Sequence, residues 1–110
     1  MSANDTNLLT QENASAAEIY LVVALSTGHI TEADSKLLDE LANSIDAGMI
    51  MGREYGFFIK LFMDDLESNL RDGYSKELRT IITEAYKAGF QMIELDRDAP
   101  VIATLPTFSW

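Results

Sequence analysis

The most apolar run of the chain, Ile19–Leu25, constrains its fold more than any other stretch. Its seven residues match the length of a buried strand and are far too few to span a bilayer. The β-branched residues and Tyr20 within it favour extended backbone over helix. Successive side chains of a strand point to opposite faces, and here both sets are apolar. We therefore expect Ile19–Leu25 to be a central strand of a sheet that is covered on both sides.

Two amphipathic helices are predicted after this strand. Apolar residues recur at helical spacing through Thr31–Ser44, and Thr31 together with Asp34 forms the sequence pattern of a capping box. Ser75 has the character of a second N-cap. The apolar stripe that follows it stops before Gly89, a residue type that commonly lies just beyond the C-terminus of a helix.

Three more strands complete the predicted sheet. Met49–Met51 and Tyr55–Phe62 are joined by a turn at Gly52–Glu54, and Phe90–Leu95 follows the second helix. The last residues, Val101–Trp110, form a short final strand or an ordered tail. The order β-α-β-β-α-β is that of the split βαβ arrangement. We therefore predict an α+β fold in which an antiparallel sheet of four to five strands carries two helices on one face, followed by a C-terminal tail.

Two further expectations concern the sheet. Gly56 lies within a predicted strand, where glycine marks a bulge or the close approach of another backbone. Helices on one face leave the other face open, yet the apolar residues Tyr20, Val22 and Ala24 would lie there. We expect either the C-terminal tail or a second copy of the chain to cover that face.

Length and composition predict a single domain. Of the 110 residues, 47% are hydrophobic, which is enough for a packed core. The first segment is rich in Ser, Asn, Ala and Thr, so we expect a flexible arm over 1–17 and one α+β domain over 18–110. The absence of cysteine, of a basic-then-apolar leader and of a transmembrane run predicts a cytoplasmic protein.

Charge narrows the classes of partner. Eighteen acidic residues against eight basic ones give a net charge of -10, which repels nucleic acid and anionic lipid and attracts basic protein surfaces. Direct binding to nucleic acid or to a membrane is therefore disfavoured. Duplex DNA carries about one negative charge per 1.7 Å of axis, so a rigid domain with many surface carboxylates is able to imitate it. The carboxylates that we expect to do so are Asp39, Glu40, Asp64, Asp65, Glu67 and Asp72.

Two groupings of residues point to other chemistry. His29 stands near Ser26 and Thr27, but catalysis also needs an orienting acid, and no G-x-S-x-G motif is present. Asp96 and Asp98 offer the hard oxygen ligands that Mg²⁺ and Ca²⁺ prefer, although the full calcium-loop pattern is absent. A metal-dependent enzyme or accessory factor that uses Asp96, Asp98 and His29 is therefore an alternative. The simpler interpretation is a capping histidine and an acidic pair that shapes a turn.

The aromatic residues favour packing over recognition of nucleic acid. Base-stacking platforms combine aromatic rings with many Lys and Arg residues, and few cations accompany Phe57 and Phe58. We therefore interpret these two as core or interface residues. Phe108 and Trp110 follow Pro106, and we expect them to fold back as anchors in a groove of the core.

The C-terminal part of the chain resembles a known domain family. Ile93–Ile102 and the closing Leu105-Pro106-Thr107-Phe108-Ser109-Trp110 are similar to an uncharacterised family carried on bacterial plasmids and prophages, which ends in an L-P-T-aromatic-x-W signature. Leu21–Thr31 and the Y-G-aromatic core of Glu54–Phe58 are similar too, and Ala99 stands where the family commonly has glycine. The family has no established activity and assigns no functional residue. The resemblance implies a mobile-element setting, where small acidic proteins are similar in character to anti-CRISPR and anti-restriction inhibitors.

These observations together predict a non-enzymatic acidic inhibitor in the cytoplasm of a bacterial host. We expect an anti-CRISPR that acts as a DNA mimic, without a cofactor. Its partner would be a defence protein with a basic DNA-binding surface, a Cas subunit above all. A homodimeric assembly module is the second expectation, and the metal-dependent factor described above is the third.

Overall fold

The computed structural model describes residues 8–44 and 49–110; residues 1–7 of the predicted arm lie outside them. The fold is mixed α+β. Its elements, in chain order, are β1 (Val22–Leu25), α1 (Glu32–Ala42), β2 (Ile50–Arg53), β3 (Gly56–Lys60), α2 (Lys76–Lys87) and β4 (Met92–Asp96). Within these described ranges, short 3₁₀ helices cover Asn13–Ala16, Thr27–His29 and Leu66–Asn69. In the described part of the chain, no helix is both long and apolar enough to cross a membrane.

Both α-helices begin at the residues that the sequence indicated. The hydroxyl of Thr31 accepts a hydrogen bond from the backbone N–H of Asp34 at 3.0 Å, and the carboxylate of Asp34 accepts one from the N–H of Thr31 at 3.2 Å. This reciprocal pair satisfies two of the N–H groups that a helix start leaves unpaired. Ser75 caps α2 through the N–H of Leu78. Beyond the end of α2, Gly89 has a φ of 86°, a left-handed conformation that favours glycine.

The sheet is mixed rather than antiparallel, with the strand order β1-β4-β3-β2. β3 runs antiparallel to both β2 and β4, whereas β1 runs parallel to β4, with Val23 opposite Ile93. The prediction of an all-antiparallel sheet is therefore wrong. Residues 101–110 add no fifth strand in the described chain and form an ordered tail.

The apolar run Ile19–Leu25 is an edge strand, which corrects its predicted central position. Among the described strands β4 alone pairs with it, and β3 pairs with the other side of β4. The strand itself begins at Val22, so the first three apolar residues of the run precede it. Of these, Ile19 and Leu21 are 62% and 59% exposed. Of the strand itself, Val23 and Leu25 face the core, and Val22 and Ala24 face outwards.

One hydrophobic core lies between the sheet and both helices. On the sheet side, matched residues of neighbouring strands such as Leu25, Leu95 and Phe57 point into it. On the helix side, Leu38 of α1 and Ile82 of α2 are fully buried. Each such side chain contributes about 1.5–3 kcal/mol when it leaves water, so this face dominates the stability of the fold. The two helices therefore cover one face of the sheet and leave the other open.

A buried carboxylate joins the starts of the two helices. Asp34 is 1% exposed, and besides Thr31 it accepts hydrogen bonds from the backbone N–H of Ser75 at 2.8 Å and from the Ser75 hydroxyl. Ser75 is itself the N-cap of α2. The N-termini of both helices carry partial positive charge, which stabilises an anion placed between them.

The β2–β3 hairpin turns at Glu54 and Tyr55, because β2 continues through Arg53. The predicted turn at Gly52–Glu54 was therefore placed slightly too early. The expected close approach at Gly56 is confirmed, because a Cβ atom there would lie 1.7 Å from the carbonyl oxygen of Leu95. Only glycine permits the backbones of β3 and β4 to approach in this way.

The C-terminal tail returns along the helix side of the molecule. Leu105 packs against the hydrophobic core, and the carbonyl oxygen of Pro100 accepts a hydrogen bond from the N–H of Ser26 at 3.2 Å. At its far end, the N–H of Phe108 donates to the carbonyl of Gly28 at 2.8 Å, and the indole N–H of Trp110 donates to that of Ile30 at 3.0 Å. The tail therefore folds back along the helix side and does not cover the open face of the sheet. The expected burial of both aromatics in the core is not found, because Phe108 is half-buried and Trp110 is 54% exposed.

Candidate functional site

The acidic connector, residues 64–73, is folded around the buried side chain of Asn69. The carboxamide oxygen of Asn69 accepts a hydrogen bond from the N–H of Phe62 at 2.8 Å, and its nitrogen donates to the carbonyl oxygen of Phe62 at 2.9 Å. Leu66 and Leu70 pack against the core on either side of it. These contacts explain why a predominantly polar segment adopts a defined conformation here.

Two side chains of α2 hold the same segment from the other direction. The hydroxyl of Tyr86 donates to the carbonyl oxygen of Met63 at 3.1 Å, and the guanidinium of Arg79 donates to that of Arg71 at 3.0 Å. Because side chains from the helix satisfy these carbonyl groups, the connector is attached to α2 at both ends. Its surface groups therefore project from a fixed backbone.

All four acidic residues of the connector are exposed, namely Asp64, Asp65, Glu67 and Asp72. Asp65 also has a structural role, because its carboxylate accepts hydrogen bonds from the N–H of Glu67 at 3.2 Å and from the hydroxyl of Ser68 at 2.9 Å. It is the N-cap of the 3₁₀ helix Leu66–Asn69. Asp64, Glu67 and Asp72 are the better candidates for contact with a partner.

The two acidic residues predicted on α1 lie on different flanks of that helix. Leu37 lies against Gly73 of the connector, and Glu40 is on the same side of the helix, one turn further along. Asp39 is exposed on the opposite flank, where it lines a separate groove. The structure therefore brings Glu40 towards the connector and separates Asp39 from it.

His29 is completely buried and holds the tail through both ring nitrogens. Its Nδ1 lies 2.9 Å from the carbonyl oxygen of Pro106, and its Nε2 accepts a hydrogen bond from the N–H of Ile102 at 2.8 Å. The carbonyl can only accept, so this pair of contacts fixes the neutral ring with the proton on Nδ1. His29 is therefore an anchor for the tail.

The predicted acidic pair Asp96 and Asp98 is part of the turn after β4. Asp96 accepts a hydrogen bond from the N–H of Asp98 at 2.9 Å, and its other oxygen lies 2.7 Å from the guanidinium of Arg53, which also contacts Glu94. In the described part of the chain, no three His, Cys, Asp or Glu side chains gather in a way that would hold a metal ion. Asp96 thus stabilises a turn and an ion-pair network.

The open face of the sheet carries two cation–aromatic pairs. The ammonium of Lys60 lies 4.4 Å from the centroid of the Tyr20 ring and donates to its hydroxyl at 2.8 Å, a hydrogen bond that raises the pKa of Lys60. The guanidinium of Arg53 lies 5.6 Å from the centroid of Phe58. Carboxylates neighbour both cations, so this face lacks the positive field that a nucleic-acid platform requires.

A groove of about 680 Å³ was not anticipated from the sequence. It lies where the C-terminal ends of the parallel strands β1 and β4 meet the β2–β3 hairpin, with α1 on one side and the tail on the other. Its cations are Lys36, Arg53 and Arg97. They are far apart in sequence and belong to no motif, so no local signal could have grouped them.

A comparison with known protein families identifies the family of this chain. The model of a family of unknown function, the DUF5983 C-terminal domain, matches residues 22–110. The chain belongs to this family. The DUF5983 match begins at β1 and includes both helices, the connector and the tail. No curated protein and no solved structure matches the chain.

Proposed function

We propose that this DUF5983 chain is a non-enzymatic inhibitor from a mobile genetic element that imitates DNA. Its target is the DNA-binding surface of a bacterial defence complex, with a Cas subunit as the favoured partner. The observation that supports this proposal most directly is the rigid acidic connector, whose exposed carboxylates stand on a backbone fixed by Asn69.

Rigidity matters because a mimic must present its charges without ordering them first. Ordering a flexible loop on binding costs about 0.5–1.5 kcal/mol for each side chain immobilised, besides the backbone. The buried Asn69 side chain and the two attachments to α2 order the connector backbone during folding, so binding does not have to order it again. Asp64, Glu67 and Asp72 then approach a basic surface as a prearranged set.

The charge of the whole molecule acts in the same direction. A net charge of -10 accelerates encounter with a positively charged cleft and opposes binding to DNA itself. Glu40 extends the acidic surface of the connector onto α1. Asp39 lies outside this surface, and the cap Asp65 contributes charge while also supporting its own loop.

The first experiment recovers the partner by affinity capture from a bacterial lysate that contains defence complexes. We expect a DNA-binding defence subunit, and we expect duplex DNA to compete with the chain for it. A partner whose binding is indifferent to DNA would contradict the mimicry.

The second experiment reverses charge where the structure permits it. In Asp64→Lys, Glu67→Lys and Asp72→Lys combined, association should slow by about tenfold or more, and its dependence on salt should weaken. The matched control reverses Glu12, Glu32 and Glu84, which are exposed elsewhere, and changes the net charge equally. Equal effects of the two triple variants, or no effect of either, would rule out the connector as the binding surface.

Self-association through β1 is a second candidate. Leu21 and Val22 are 59% and 44% exposed along an edge strand, and an exposed apolar edge is a ready template for pairing. A second copy is the natural occupant, because a two-fold axis lets the same edge pair with itself. Light scattering over a wide range of concentrations should show a dimer that Leu21→Lys disrupts; a monomer throughout would exclude it.

A further inference from the structure

We propose that the groove between α1, the β2–β3 hairpin and the tail binds a small organic monoanion that carries a flat ring. Aromatic carboxylates are the chemical class that fits best. This inference goes beyond the proposed function, because the acidic connector lies on a different surface.

The groove has the dimensions and construction of a binding site. Its volume of about 680 Å³ lies within the range of about 300–1,000 Å³ that small-molecule sites occupy. Four separate segments form its walls: the β1–α1 turn, one flank of α1, the hairpin with the turn after β4, and the tail. All four are held by hydrogen bonds, including that between Phe108 and Gly28, so the groove is largely preformed.

The groove brings together basic side chains from separate segments, of which Arg53 is already held by Glu94 and Asp96. Three of the eight basic residues line it, against two acidic ones, Asp39 and Glu54. Among residues 8–44 and 49–110, the ion pairs of Lys36 and Arg97 are solvent-exposed, at 3.5 Å to Glu32 and 3.9 Å to Asp98. Exposed pairs of this kind contribute little to stability, so both cations are able to exchange their partners for a ligand.

Arg97 is preorganised for a planar ligand. The centre of its guanidinium lies 3.8 Å from the centroid of the Tyr55 ring, and its backbone N–H donates to the carbonyl of Tyr55 at 3.0 Å. A stacked guanidinium keeps its in-plane N–H donors free for a carboxylate and offers its second face to a ring. Phe57, Phe108 and Trp110 add aromatic surface to the same groove.

The balance of charge selects a monoanion. Arg53 is held by Glu94 and Asp96, so Lys36 and Arg97 are the cations that a ligand can recruit, within a chain of net charge -10. A polyanion would gain little from the groove and would be repelled by the rest of the molecule. An aromatic carboxylate satisfies the guanidinium fork with one charge and the aromatic walls with its ring.

The experiment is an NMR titration that follows the indole N–H of Trp110, the single tryptophan, which lies in the wall of the groove. The probe is para-hydroxyphenylacetate. Tyramine has the same ring with a positive charge, acetate has the charge without the ring, and adenosine monophosphate is a ring-bearing dianion. We expect saturable shifts of the groove amides with para-hydroxyphenylacetate, weaker binding of adenosine monophosphate, and none with tyramine or acetate.

Substitution of Arg97 distinguishes binding in the groove from non-specific binding. Arg97→Gln should weaken the affinity for para-hydroxyphenylacetate by about tenfold or more, the usual effect of losing a charged hydrogen bond. Lys87→Gln removes the same charge from the exposed end of α2 and should change the affinity less than twofold. The absence of saturation, equal binding of tyramine, or equal effects of the two variants would each overturn the proposal.

Discussion

The buried carboxylate of Asp34 accepts hydrogen bonds from both the backbone N–H and the hydroxyl of the partly buried Ser75. Asp34 belongs to the first turn of α1, and Ser75 begins α2. The pair thus fixes the relative position of two helix starts that are 41 residues apart in sequence.

Replacing Asp34 by alanine should lower the free energy of unfolding by about 2–4 kcal/mol. The variant loses the capping box of α1 and leaves the N–H of Ser75 buried without its acceptor. Urea unfolding followed by circular dichroism measures the change. Asp39→Ala, on an exposed flank of the same helix, should shift the stability by no more than about 0.5 kcal/mol. Similar losses in the two variants would refute the bridging role of Asp34.

Gly56→Ala should destabilise the fold by about 3 kcal/mol or more, because the new Cβ would lie 1.7 Å from a backbone oxygen that cannot move away alone. Gly52, on the neighbouring strand, is the matched control. A Cβ there would lie 3.7 Å from the Cβ of Ala42, an ordinary contact. Gly52→Ala should therefore be neutral or stabilising by about 0.5 kcal/mol, since alanine loses less backbone entropy on folding. Thermal unfolding of both variants measures the difference.

His29→Phe should release the tail while keeping a flat aromatic ring at this position. Ile102 and Pro106 both lose their partner, and the expected loss of stability is about 2–3 kcal/mol. Hydrogen exchange of the Ile102 amide should accelerate by about 10-fold or more. Trp110→Phe removes a single, partly exposed hydrogen bond and should cost less. Unchanged protection of Ile102 in His29→Phe would show that the other contacts of the tail hold it, namely the packing of Leu105 and the backbone and indole hydrogen bonds.

The burial of the Tyr74 hydroxyl predicts that the folded protein loses stability in alkali. Its hydroxyl is buried and finds no hydrogen-bond partner among the described residues, and burial raises the pKa of this phenol above its ordinary value. An acid whose pKa is raised in the folded state is deprotonated more readily when unfolded. Its contribution is therefore fully present below about pH 10 and is lost as the pH rises through the folded-state pKa. Unfolding measured against pH should show this decline.

Tyr74→Phe is the variant that tests this assignment. Removing an unpaired buried hydroxyl should leave the fold as stable or stabilise it by about 1 kcal/mol, and the alkaline decline should become shallower. An undiminished decline in Tyr74→Phe would assign it to another group.

Asn69→Ala should disorder the backbone of the connector while leaving its charge unchanged. We expect a loss of about 1–3 kcal/mol in stability from the two unpaired backbone groups of Phe62. Affinity for the captured partner should also fall, although no charge has changed, because the loop must then be ordered on binding. Retained affinity in a folded Asn69→Ala variant would contradict the importance of rigidity.

Sequence reasoning succeeded where the controlling signal is local. The caps at Thr31 and Ser75, the glycine beyond α2 and the close approach at Gly56 each depend on a few neighbouring residues. The acidic connector could be recognised from composition, but the role of Asn69 within it could not. A single asparagine carries no pattern until the backbone of Phe62 is folded against it.

The errors concern pairing between distant segments. The side chains of Ile19–Leu25 do not reveal which strand will lie beside them, and the parallel partner, β4, is separated by most of the chain. The contacts of His29 with the tail and the meeting of Lys36, Arg53 and Arg97 in one groove likewise depend on the tertiary fold. Packing in the tertiary fold determines these contacts, and the local sequence carries no pattern that predicts them.

The parallel pair of β1 and β4 also has a consequence for how the molecule assembles. The contact of Leu21 with Gln91 closes a loop of 70 residues, so the conformational entropy lost in bringing those ends together precedes any gain from the pairing. The hairpin and the two helices, in contrast, bring together residues that are close in sequence. We expect β1 and the tail to join late, after a nucleus of β2, β3, β4 and α2 has formed, and folding to be slow for a chain of this size. Until that step, Leu25 and Ile30 remain in water, and the aggregation of incomplete molecules competes with their burial.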